Sequence, residues 1–489
     1  MAPPPLALVL AGSFGCGGDQ LYRLHQPAVA LAQLEAVEVH ELHPHARPRD
    51  AAALAADVLV LLMGMDLELL RLAHQRRLLG KPTVLEVNDW LPGVQRCNPV
   101  HANWSDARAW PLLSQLLRHC DAVQVSSQGL AQRLEPLARQ VQVLPNQLPS
   151  LPPLQRRPPG GPLRIGWGGS AGHYDDLAAI APALVAWLEC QSEVRLEVMA
   201  DPVFEGLFAA APAGRFRFLP AGSLEHYLHW LEGLHIGLAP LLPSDYNDCR
   251  SDVKFLEYAS RGVVPVLQRC PTYAGVCDGE TGLLFNDTAE LLGLLDQLVA
   301  DPERGQGLAV AAYAHVQGQR RLEHHVPRQL AFYRQLLAAA AAVSAGEAGS
   351  PALLRAAATP LSHLRSQPGW QQLSERHWRR DLAGPAEQQL EAGLGAMQQQ
   401  HWPQALEHFR QASAADPSDP YALVFLGQAL ERLDRPGLAQ QAYERATALD
   451  PLCSRPRRAL AALHRRRAAH WDAAAAALNP LAASQHPSP

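Results

Sequence analysis

The alternation of short apolar runs with longer amphipathic stretches is the feature that most constrains the fold of this 489-residue chain. Segments that alternate in this way form βα units, which build parallel sheets covered by helices on both faces. The apolar runs fall into two series. We predict strands at 6–12, 37–42, 57–63, 83–89, 122–127 and 141–146, and again at 163–169, 194–200, 216–222, 236–241, 263–267 and 282–285.

The segment NQLPSLPPLQRRPPGGP (146–162) separates the two series. Pro and Gly at this density end both strands and helices. We therefore predict two doubly wound α/β domains, residues 1–150 and 160–335, whose strand-end loops border a shared ligand cleft. Residues 336–384 are expected to be a linker, with one helix at 366–382.

The C-terminal residues 385–482 carry an internal repeat of 34 residues. Small residues, an aromatic residue and a proline recur at fixed positions, which is the tetratricopeptide pattern. Stacked repeats bury surface that one copy cannot, so we expect an all-α segment that binds a protein partner. The first copy has Gly393, Ala405, Phe409, Ala412 and Pro417; the second has Gly427, Ala439, Tyr443, Ala446 and Pro451; a degenerate third has Ala461, Ala473, Ala477 and Pro480.

Composition excludes several classes of protein. A net charge of −5 argues against a nucleic-acid groove, which normally carries a basic surplus. The eight cysteines include no C-x-x-C pair, which favours free thiols in a cytoplasmic protein over a zinc site or a disulfide scaffold. No uncharged apolar run reaches the roughly 18–20 residues of a membrane-spanning helix. Attachment to the inner face of a membrane stays open.

A lysine in the stretch SDVKFLEYASRGVVPV (251–266) is unusual, because the chain has only two lysines, Lys81 and Lys254, against forty arginines. Ser251 is a suitable N-cap, Gly262 a suitable C-cap, and the residues between them predict a helix of about two turns. Lys254 and Glu257 then share one face at i,i+3. An ordinary surface ion pair of about 0.2–0.5 kcal/mol is one interpretation.

An anion site is the other interpretation. A cation in a first helical turn opposes the helix dipole unless an anion is bound there. Arg250 precedes the helix, so both cations and the backbone N–H groups can converge on a phosphate. Glu257, one turn deeper, can accept hydrogen bonds from hydroxyl groups. A diphosphate followed by a ribose has this spacing.

The sequence KFLEYASRGVVPV resembles the donor-binding segment of bacterial GT-B glycosyltransferases, especially those resembling family 4. The resemblance covers residues 6–335 in order, through HCDAVQVSSQGLAQRLEPLARQVQVLPN (119–146), LRIGWGGSAGHYDDL (163–177) and YAGVCDGETGLLF (273–285). It implies two Rossmann-like domains and the transfer of a sugar from a nucleoside-diphosphate-sugar to a hydroxyl acceptor. Retention of anomeric configuration is favoured, and no metal or other cofactor is expected.

The resemblance also implies roles for individual residues. Arg250 and Lys254 would hold the donor diphosphate, and Glu257 the ribose or donor-sugar hydroxyls. Backbone approach to the phosphates would use Gly168, Gly169 and Ser170, and the pocket wall would include Glu280, Thr281 and Gly282. On the acceptor side we expect Gly15 and Gly17 in a loop, Trp90 and Trp104 against sugar faces, and, for an inverting enzyme, Asp89, Asp19 or His101 as base. For His101 and His173 a plain surface histidine is the favoured interpretation.

One departure affects the function. The resembled enzymes commonly have a second Glu eight residues before the one that matches Glu257, in contact with the transferred sugar. Cys249 occupies that position here, beside Asn247 and Asp248. Three hypotheses therefore stay open: a glycosyltransferase for a polysaccharide or cell-envelope glycan, a protein O-glycosyltransferase that recruits substrates through its repeats, and a catalytically inactive scaffold.

Overall fold

The computed structural model describes residues 5–12, 17–42, 49–64, 67–105, 107, 109–154, 161–343, 351–366, 385–417, 419–449 and 454–478. The chain divides into two compact units. The first consists mainly of Met1–Glu41 and Ala56–Pro351, and the second mainly of Arg380–Pro489. Within the described ranges, no helix combines the length and the apolar character needed to cross a membrane.

All twelve predicted strands form, because a strand buried on both faces reads as a short, nearly continuous apolar run. They are β1 Leu6–Ala11, β2 Val37–Leu42, β3 Val58–Leu62, β4 Thr83–Val87, β5 Ala122–Val125, β6 Val141–Val143, β7 Leu163–Gly169, β8 Val194–Ala200, β9 Phe216–Pro220, β10 Ile236–Ala239, β11 Val264–Gln268 and β12 Leu283–Phe285.

The strands form two six-stranded sheets, ordered β2-β1-β3-β4-β5-β6 and β12-β11-β10-β7-β8-β9. In the second sheet, Ile236 of β10 lies opposite Val264 on one side and Ile165 of β7 on the other, and both pairings are parallel. The order of connection reverses between β7 and β10. Ligands of such sheets bind beyond the carboxyl ends of the strands at this reversal.

Helices connect the strands, as the alternating pattern predicts, and further helices follow β12. In chain order they are α1 Gly17–Asp19, α2 Gln26–Leu31, α3 Arg49–Ala55, α4 Leu67–Leu78, α5 His101–Trp104, α6 Ala109–His119, α7 Gln128–Leu134, α8 Tyr174–Ala178, α9 Ala181–Glu189, α10 Leu224–Glu232, α11 Val253–Ala259, α12 Thr288–Ala300, α13 Pro302–Gln319, α14 Leu322–Val343, α15 Pro351–Ala357 and α16 Leu361–Arg365. A π-helical turn, Gln20–His25, joins α1 to α2.

Helix α14 returns to the first sheet. Its residues Leu330 and Tyr333 are buried with Leu8 and Val60, in the core formed by the first series of strands. The second series has its own core around Ile165 and other apolar residues. The last helix of the predicted 160–335 domain thus packs with the sheet of the 1–150 domain, while the predicted boundaries themselves stay predictions.

The chain passes between the two sheets twice, near Leu148 and again near Arg321. The two crossings hydrogen-bond to each other: Leu148 N–H donates to Arg320 O at 2.8 Å, and Leu322 N–H donates to Leu148 O at 3.0 Å. Leu148 and Arg321 form a parallel β-bridge. The two crossings therefore form one short hydrogen-bonded ribbon.

The second unit contains paired helices with the predicted 34-residue repeat. They are α17 Pro385–Gln398, α18 Trp402–Ala415, α19 Pro420–Arg432, α20 Pro436–Leu449 and α21 Ser454–Leu478. A Cβ on Gly393 would lie 2.5 Å from the Phe409 ring, and one on Gly427 would lie 2.4 Å from the Tyr443 ring. The repeat extends to the backbone, since Gln400 and Asp434, 34 positions apart, both have positive φ. The predicted helix at 366–382, apart from Ser366, lies outside the described residues, as do Pro451 of the second copy and Pro480 of the third.

Candidate functional site

Helix α11 begins one residue later than the predicted cap implies. Asp252, not Ser251, precedes the first helical residue, and its carboxylate is bound by Arg320 at 2.6 and 3.0 Å. Ser251 Oγ instead accepts a 3.1 Å hydrogen bond from Asn146 Nδ2. The start of α11 is thus tied to the ribbon between the sheets through Arg320.

The end of α11 agrees with the prediction. Gly262 has φ +63°, a conformation that glycine adopts readily and other residues rarely do. Its N–H donates to Ala259 O at 3.1 Å, and the next residue, Val263, donates to Tyr258 O at 3.0 Å. These two bonds satisfy the last carbonyl groups of the helix and direct the chain into β11.

Lys254 and Glu257 lie in a mostly buried cluster and not on an open surface. Tyr22 Oη donates to Glu257 Oε1 at 2.8 Å, and Tyr227 Oη donates to Glu257 Oε2 at 2.9 Å. Lys254 Nζ donates to Glu257 Oε2 at 3.1 Å and to Tyr227 Oη at 2.7 Å. Burial, then the Glu257 charge, raises the pKa of both tyrosines well above the ordinary value. Both phenols therefore stay protonated and act as donors.

The cluster is assembled from three separate elements. Tyr22 belongs to the π-helical turn of the first domain, Tyr227 to α10, and Glu257 to α11. Gly168, at the end of β7, makes room for this arrangement, because a Cβ there would lie 2.7 Å from the Tyr227 ring. The observed contact of Gly168 is therefore with a side chain of the cluster.

Arg250 lies between β10 and α11, with its guanidinium 5.2 Å from the centre of the Tyr246 ring. Its buried Nη1 has no hydrogen-bond partner in the described part of the chain. Burial acts to lower the pKa of Arg250, but the charges of Tyr246, Asp89 and Asp176 outweigh it and raise the pKa. The protein thus holds a permanent cation with unused donor capacity.

Arg250 and Lys254 border a cavity of about 140 Å³. Both sheets contribute to it at their carboxyl ends, where ligands of this architecture bind. From the first domain come Asp19 after β1, Asn88 and Asp89 after β4, and Ser126 after β5; from the second come His173 after β7 and Arg250 and Lys254 after β10. The topology therefore brings together groups that are far apart in sequence.

The cavity contains carboxyl groups with raised pKa values. Burial, and then the charge of Asp89, raises the pKa of Asp19 to about 7. Burial raises the pKa of Asp89 as well, while the charge of Arg250 opposes the increase. Burial, and then Arg250, lowers the pKa of His173 to about 4, although its Nδ1 lies 3.0 Å from Asp176 Oδ2. His173 is therefore a neutral, largely buried group here and not a surface histidine.

A second, larger cavity of about 870 Å³ lies on the other side of the Tyr22–Glu257 contact. Tyr22 borders both cavities, and Glu257 borders the larger one. Other walls come from α10 and from the first crossing between the sheets, through residues such as His226 and Leu148. The Tyr22 side chain thus stands at the boundary between the two spaces.

A buried polar network lies beneath the smaller cavity. Arg23 donates to Glu86 through Nε at 2.8 Å and through Nη2 at 3.2 Å, and also to Asn146 Oδ1 at 2.7 Å. Gln124 donates to the same carboxylate at 2.6 Å. This network was not predicted from the sequence, although Glu86, a charged residue inside the apolar run TVLEV, was a signal for it. The network fixes Arg23 next to Tyr22 and Asp19.

Several predicted site residues have local contacts of their own. Gly169 packs against the Trp167 ring, Glu280 is exposed, and Thr281 Oγ1 accepts the N–H of Cys277 at 3.0 Å. Trp90 meets Trp110 edge-on at 5.5 Å, and His101 Nδ1 lies 3.1 Å from Val94 O. The structure does not bring these residues into the cavity around Arg250.

The remaining predicted residues are placed as follows. Ser170 is exposed after β7, Trp104 ends α5, and Gly17 begins α1. A Cβ added to Gly282 would lie 3.1 Å from Pro265 O. Gly15 lies outside the described residues. No group of three or more His, Cys, Asp or Glu side chains that could hold a metal occurs within the described ranges.

Cys249, at the position of the missing Glu, is buried, and burial raises the pKa of its thiol to about 11. Its carbonyl accepts a 2.6 Å hydrogen bond from Ser127 Oγ of the first domain. A Cβ on the neighbouring Gly129 would lie 2.3 Å from Asp248 O. This segment is therefore in close contact with the start of α7.

The arrangement of the two sheets has counterparts among solved structures. Sucrose-phosphate synthase from Thermosynechococcus elongatus is similar with a TM-score of 0.51 and 15% identity, over 68% of this chain and 100% of that one. The chain has the GT-B fold. Anabaena HepE in complex with UDP-glucose is similar at 13% identity and a TM-score of 0.49, over 67% of this chain and 100% of that one. A glycosyltransferase from Rickettsia africae has 12% identity and a TM-score of 0.48, over 68% and 99%.

The GT-B prediction made from KFLEYASRGVVPV is thus confirmed at the level of fold. At sequence identities of 12–15%, the likeness shows the fold and not the activity. Residues 390–453 match the tetratricopeptide repeat family, which confirms the prediction made from the 34-residue period. No curated protein matches the chain.

Proposed function

We propose that this GT-B protein transfers a sugar from a nucleoside-diphosphate-sugar to a hydroxyl acceptor, with retention of configuration and without a bound metal. The observation that carries the proposal is Arg250: a half-buried, permanent cation whose buried Nη1 has no partner in the described part of the chain, beside Lys254 at the carboxyl end of β10. A diphosphate supplies the acceptor oxygens that such a group lacks. Retention and metal independence are supported by the resemblance alone.

Lys254 and Arg250 would stabilise the departing diphosphate. Negative charge develops on the leaving group in the transition state, and cations already fixed in a water-poor site need no reorganisation to meet it. Lys254 is fixed by Tyr227 and Glu257, and Arg250 by the Tyr246 ring. Removing one preorganised donor of this kind typically lowers kcat by about 10²–10³.

Glu257 would bind the hydroxyls of the donor ribose. Its carboxylate borders the larger cavity, which has room for a nucleoside, while the cations border the smaller one. A diphosphate held by Arg250 and Lys254 then lies between the nucleoside and the sugar. Tyr22, Tyr227 and Lys254 already donate to this carboxylate. A ribose that donates both of its hydroxyls has to replace one of these donors, and we expect it to replace Tyr22.

The acceptor is proposed to be a polysaccharide or a cell-envelope glycan, and the protein to act in the cytoplasm or at the inner face of the membrane. A protein acceptor recruited through the tetratricopeptide unit is the alternative. Gly427→Val distinguishes the two, because a side chain there overlaps the Tyr443 ring and disturbs the repeat. A protein acceptor predicts lost protein glycosylation with donor hydrolysis intact. Gly437→Val, at a position with open space, is the matched control.

Donor binding is the deciding experiment. We expect one of UDP-glucose, UDP-N-acetylglucosamine, GDP-mannose or dTDP-glucose to raise the unfolding temperature and to be hydrolysed slowly without acceptor. Lys254→Ala should remove both effects. If no donor stabilises the protein, or if Lys254→Ala binds as well as the parent, the proposal is wrong. Stabilisation without hydrolysis or transfer would instead indicate an inactive scaffold.

A further inference from the structure

The hydroxyls of the transferred sugar need hydrogen-bond acceptors, and position 249 does not supply one. A carboxylate stands at that position in the resembled enzymes, whereas here Cys249 is a buried thiol with a raised pKa. The preceding residue, Asp248, lies against α7 through its carbonyl. The groups that recognise a sugar therefore have to come from elsewhere in the cleft.

The 140 Å³ cavity is lined by polar atoms that lack partners. Asn88 Oδ1, Ser126 Oγ and Arg250 Nη1 are all buried without a hydrogen-bond partner within the described ranges, and all three residues line this space. Asn88 is 8% exposed and Ser126 is 5% exposed. Buried polar atoms are satisfied in the great majority of cases, so three such atoms around one cavity indicate a polar ligand.

The size of the cavity limits what that ligand is. At about 30 Å³ per water molecule, 140 Å³ corresponds to between four and five waters. One sugar ring with its hydroxyls is of this order, whereas a nucleoside needs the larger space on the other side of Tyr22. The part of the cavity that Asp19 and Asp89 border therefore suits one sugar unit, with the diphosphate on Arg250 and Lys254 between it and the larger space.

We propose that Asp19 and Asp89 of the first domain bind the hydroxyls of the transferred sugar, and so replace the carboxylate that is absent at position 249. This inference rests on the proposed function. The sugar of a nucleotide donor is bonded directly to the diphosphate, so a diphosphate on Arg250 brings the sugar into the space that Asp19 and Asp89 border. Ionised carboxylates only accept hydrogen bonds, and the hydroxyls of a sugar are the donors they require.

The remaining polar groups fit the same ligand. Asn88 hydrogen-bonds to Asp19 and keeps its Oδ1 free, and Ser126 can both donate and accept. The raised pKa of Asp19, which follows from burial and from Asp89, lets this carboxyl group also donate near neutral pH. A mixed set of donors and acceptors around one ring is what distinguishes one sugar stereoisomer from another.

The test compares affinities for a donor and for its sugar-free counterpart. The donor among UDP-glucose, UDP-N-acetylglucosamine, GDP-mannose and dTDP-glucose that stabilises the protein most is titrated beside its nucleoside diphosphate. In Asp19→Asn and in Asp89→Asn, the ratio of Kd for the nucleoside diphosphate to Kd for the sugar nucleotide should fall at least fivefold. Affinity for the nucleoside diphosphate itself should stay the same or rise, because a negative charge near the phosphates is gone.

Asp248→Asn is the matched control, since it removes a carboxylate beside Cys249 but outside the cavity; its ratio should equal that of the parent. A variant that simply misfolds loses affinity for both ligands and has a lower unfolding temperature, which separates damage from lost recognition. If Asp89→Asn misfolds, Asp89→Glu is measured instead. It keeps the charge but moves the carboxylate, so in a folded protein it must still lower the ratio of the two Kd values. An unchanged ratio in folded variants overturns the inference. If no donor binds the parent, the proposed function fails first.

Discussion

Tyr22 and Glu257, 235 residues apart and on opposite sides of the cleft, are joined by a 2.8 Å hydrogen bond. With the bonds from Tyr227 and Lys254, the Glu257 carboxylate accepts three of the roughly four hydrogen bonds that its two oxygens can accept. A ribose that donates both of its hydroxyls to Glu257 must therefore take the place of one donor supplied by the protein. The Tyr22 hydroxyl and the ribose of the sugar nucleotide therefore compete for the same carboxylate.

Tyr22→Phe should tighten donor binding. The variant leaves Glu257 Oε1 without the Tyr22 donor, which should lower the free energy of unfolding by about 1–3 kcal/mol. A ribose hydroxyl restores the missing bond without displacing anything, so part of that free energy appears as affinity. We expect Kd for the donor to fall about three- to tenfold, measured by isothermal titration.

Tyr443→Phe is the control for this variant. Tyr443 is also a buried tyrosine that donates to a carboxylate, Glu431 Oε1 at 2.6 Å, but it belongs to the tetratricopeptide repeats. Its loss should lower stability and leave donor affinity within about twofold of the parent. A weaker or unchanged Kd in Tyr22→Phe would show that Tyr22 does not compete with the donor.

Lys254→Arg should lower kcat/KM at least tenfold despite keeping the charge. The ammonium fits between Tyr227 Oη at 2.7 Å and Glu257 Oε2 at 3.1 Å, a space for a compact point charge and not for a planar guanidinium. The measurement is steady-state donor hydrolysis. Lys81→Arg, the same change at the only other lysine, should stay within about twofold of the parent. Equal rates in the two variants would mean that Lys254 has no special role.

Asp19→Asn should change how stability depends on pH. The pKa of Asp19 is about 7 in the folded protein, against an ordinary value of 3.8. The folded state thus keeps a proton that the unfolded state releases, and the stability this gives is complete below pH 3.8 and lost as pH rises to 7. Relative to the parent, the variant should gain stability over this range, by an amount on the order of 4 kcal/mol at neutral pH.

Urea unfolding at several pH values, followed by tryptophan fluorescence, measures this difference. His173 contributes the opposite slope, because its pKa is lowered to about 4, but it is present in both proteins and largely cancels. A difference between Asp19→Asn and the parent that does not vary with pH would contradict the raised pKa of Asp19.

Gly393→Ala and Gly395→Ala should change the stability of the repeat unit in opposite directions. A Cβ on Gly393 lies 2.5 Å from the Phe409 ring, whereas one on Gly395 meets nothing within 4 Å. Overpacking should cost about 1–3 kcal/mol in the first variant, and removing a helical glycine should add about 0.5–1 kcal/mol in the second. Thermal unfolding of the full chain tests both, and a common direction of change would refute the close packing of α17 on α18.

The sheets and repeats could be predicted because their signals are local. A buried parallel strand appears as an apolar run, and a stacked repeat appears as a fixed period. The partners of Glu257 could not be predicted in this way. Tyr22 and Tyr227 reach it only through folding, and nothing near Tyr22 in the sequence indicates a carboxylate 235 positions away.

Neighbouring residues in the sequence also do not predict a side chain's contacts where a distant part of the chain determines them. Ser251 and Asp252 are both good N-cap types, and the choice between them follows from Arg320, which binds Asp252 from 68 positions away. Gly168, which the resemblance implies lets the backbone approach a phosphate, lies against the Tyr227 ring, a neighbour that the sequence around it does not indicate. In each case the residue type was recognised correctly, whereas its neighbour could not be known from spacing.

The ribbon formed by Leu148 and Arg321 has a mechanical consequence. Two chain connections that are hydrogen-bonded side by side resist twisting and sliding of one domain against the other. They resist rotation about the line along which they run far less. Domain opening should therefore have one principal degree of freedom. Arg320 joins this ribbon to Asp252 at the start of α11. Rotation about the ribbon would therefore move Lys254 and Glu257 together, away from Tyr22.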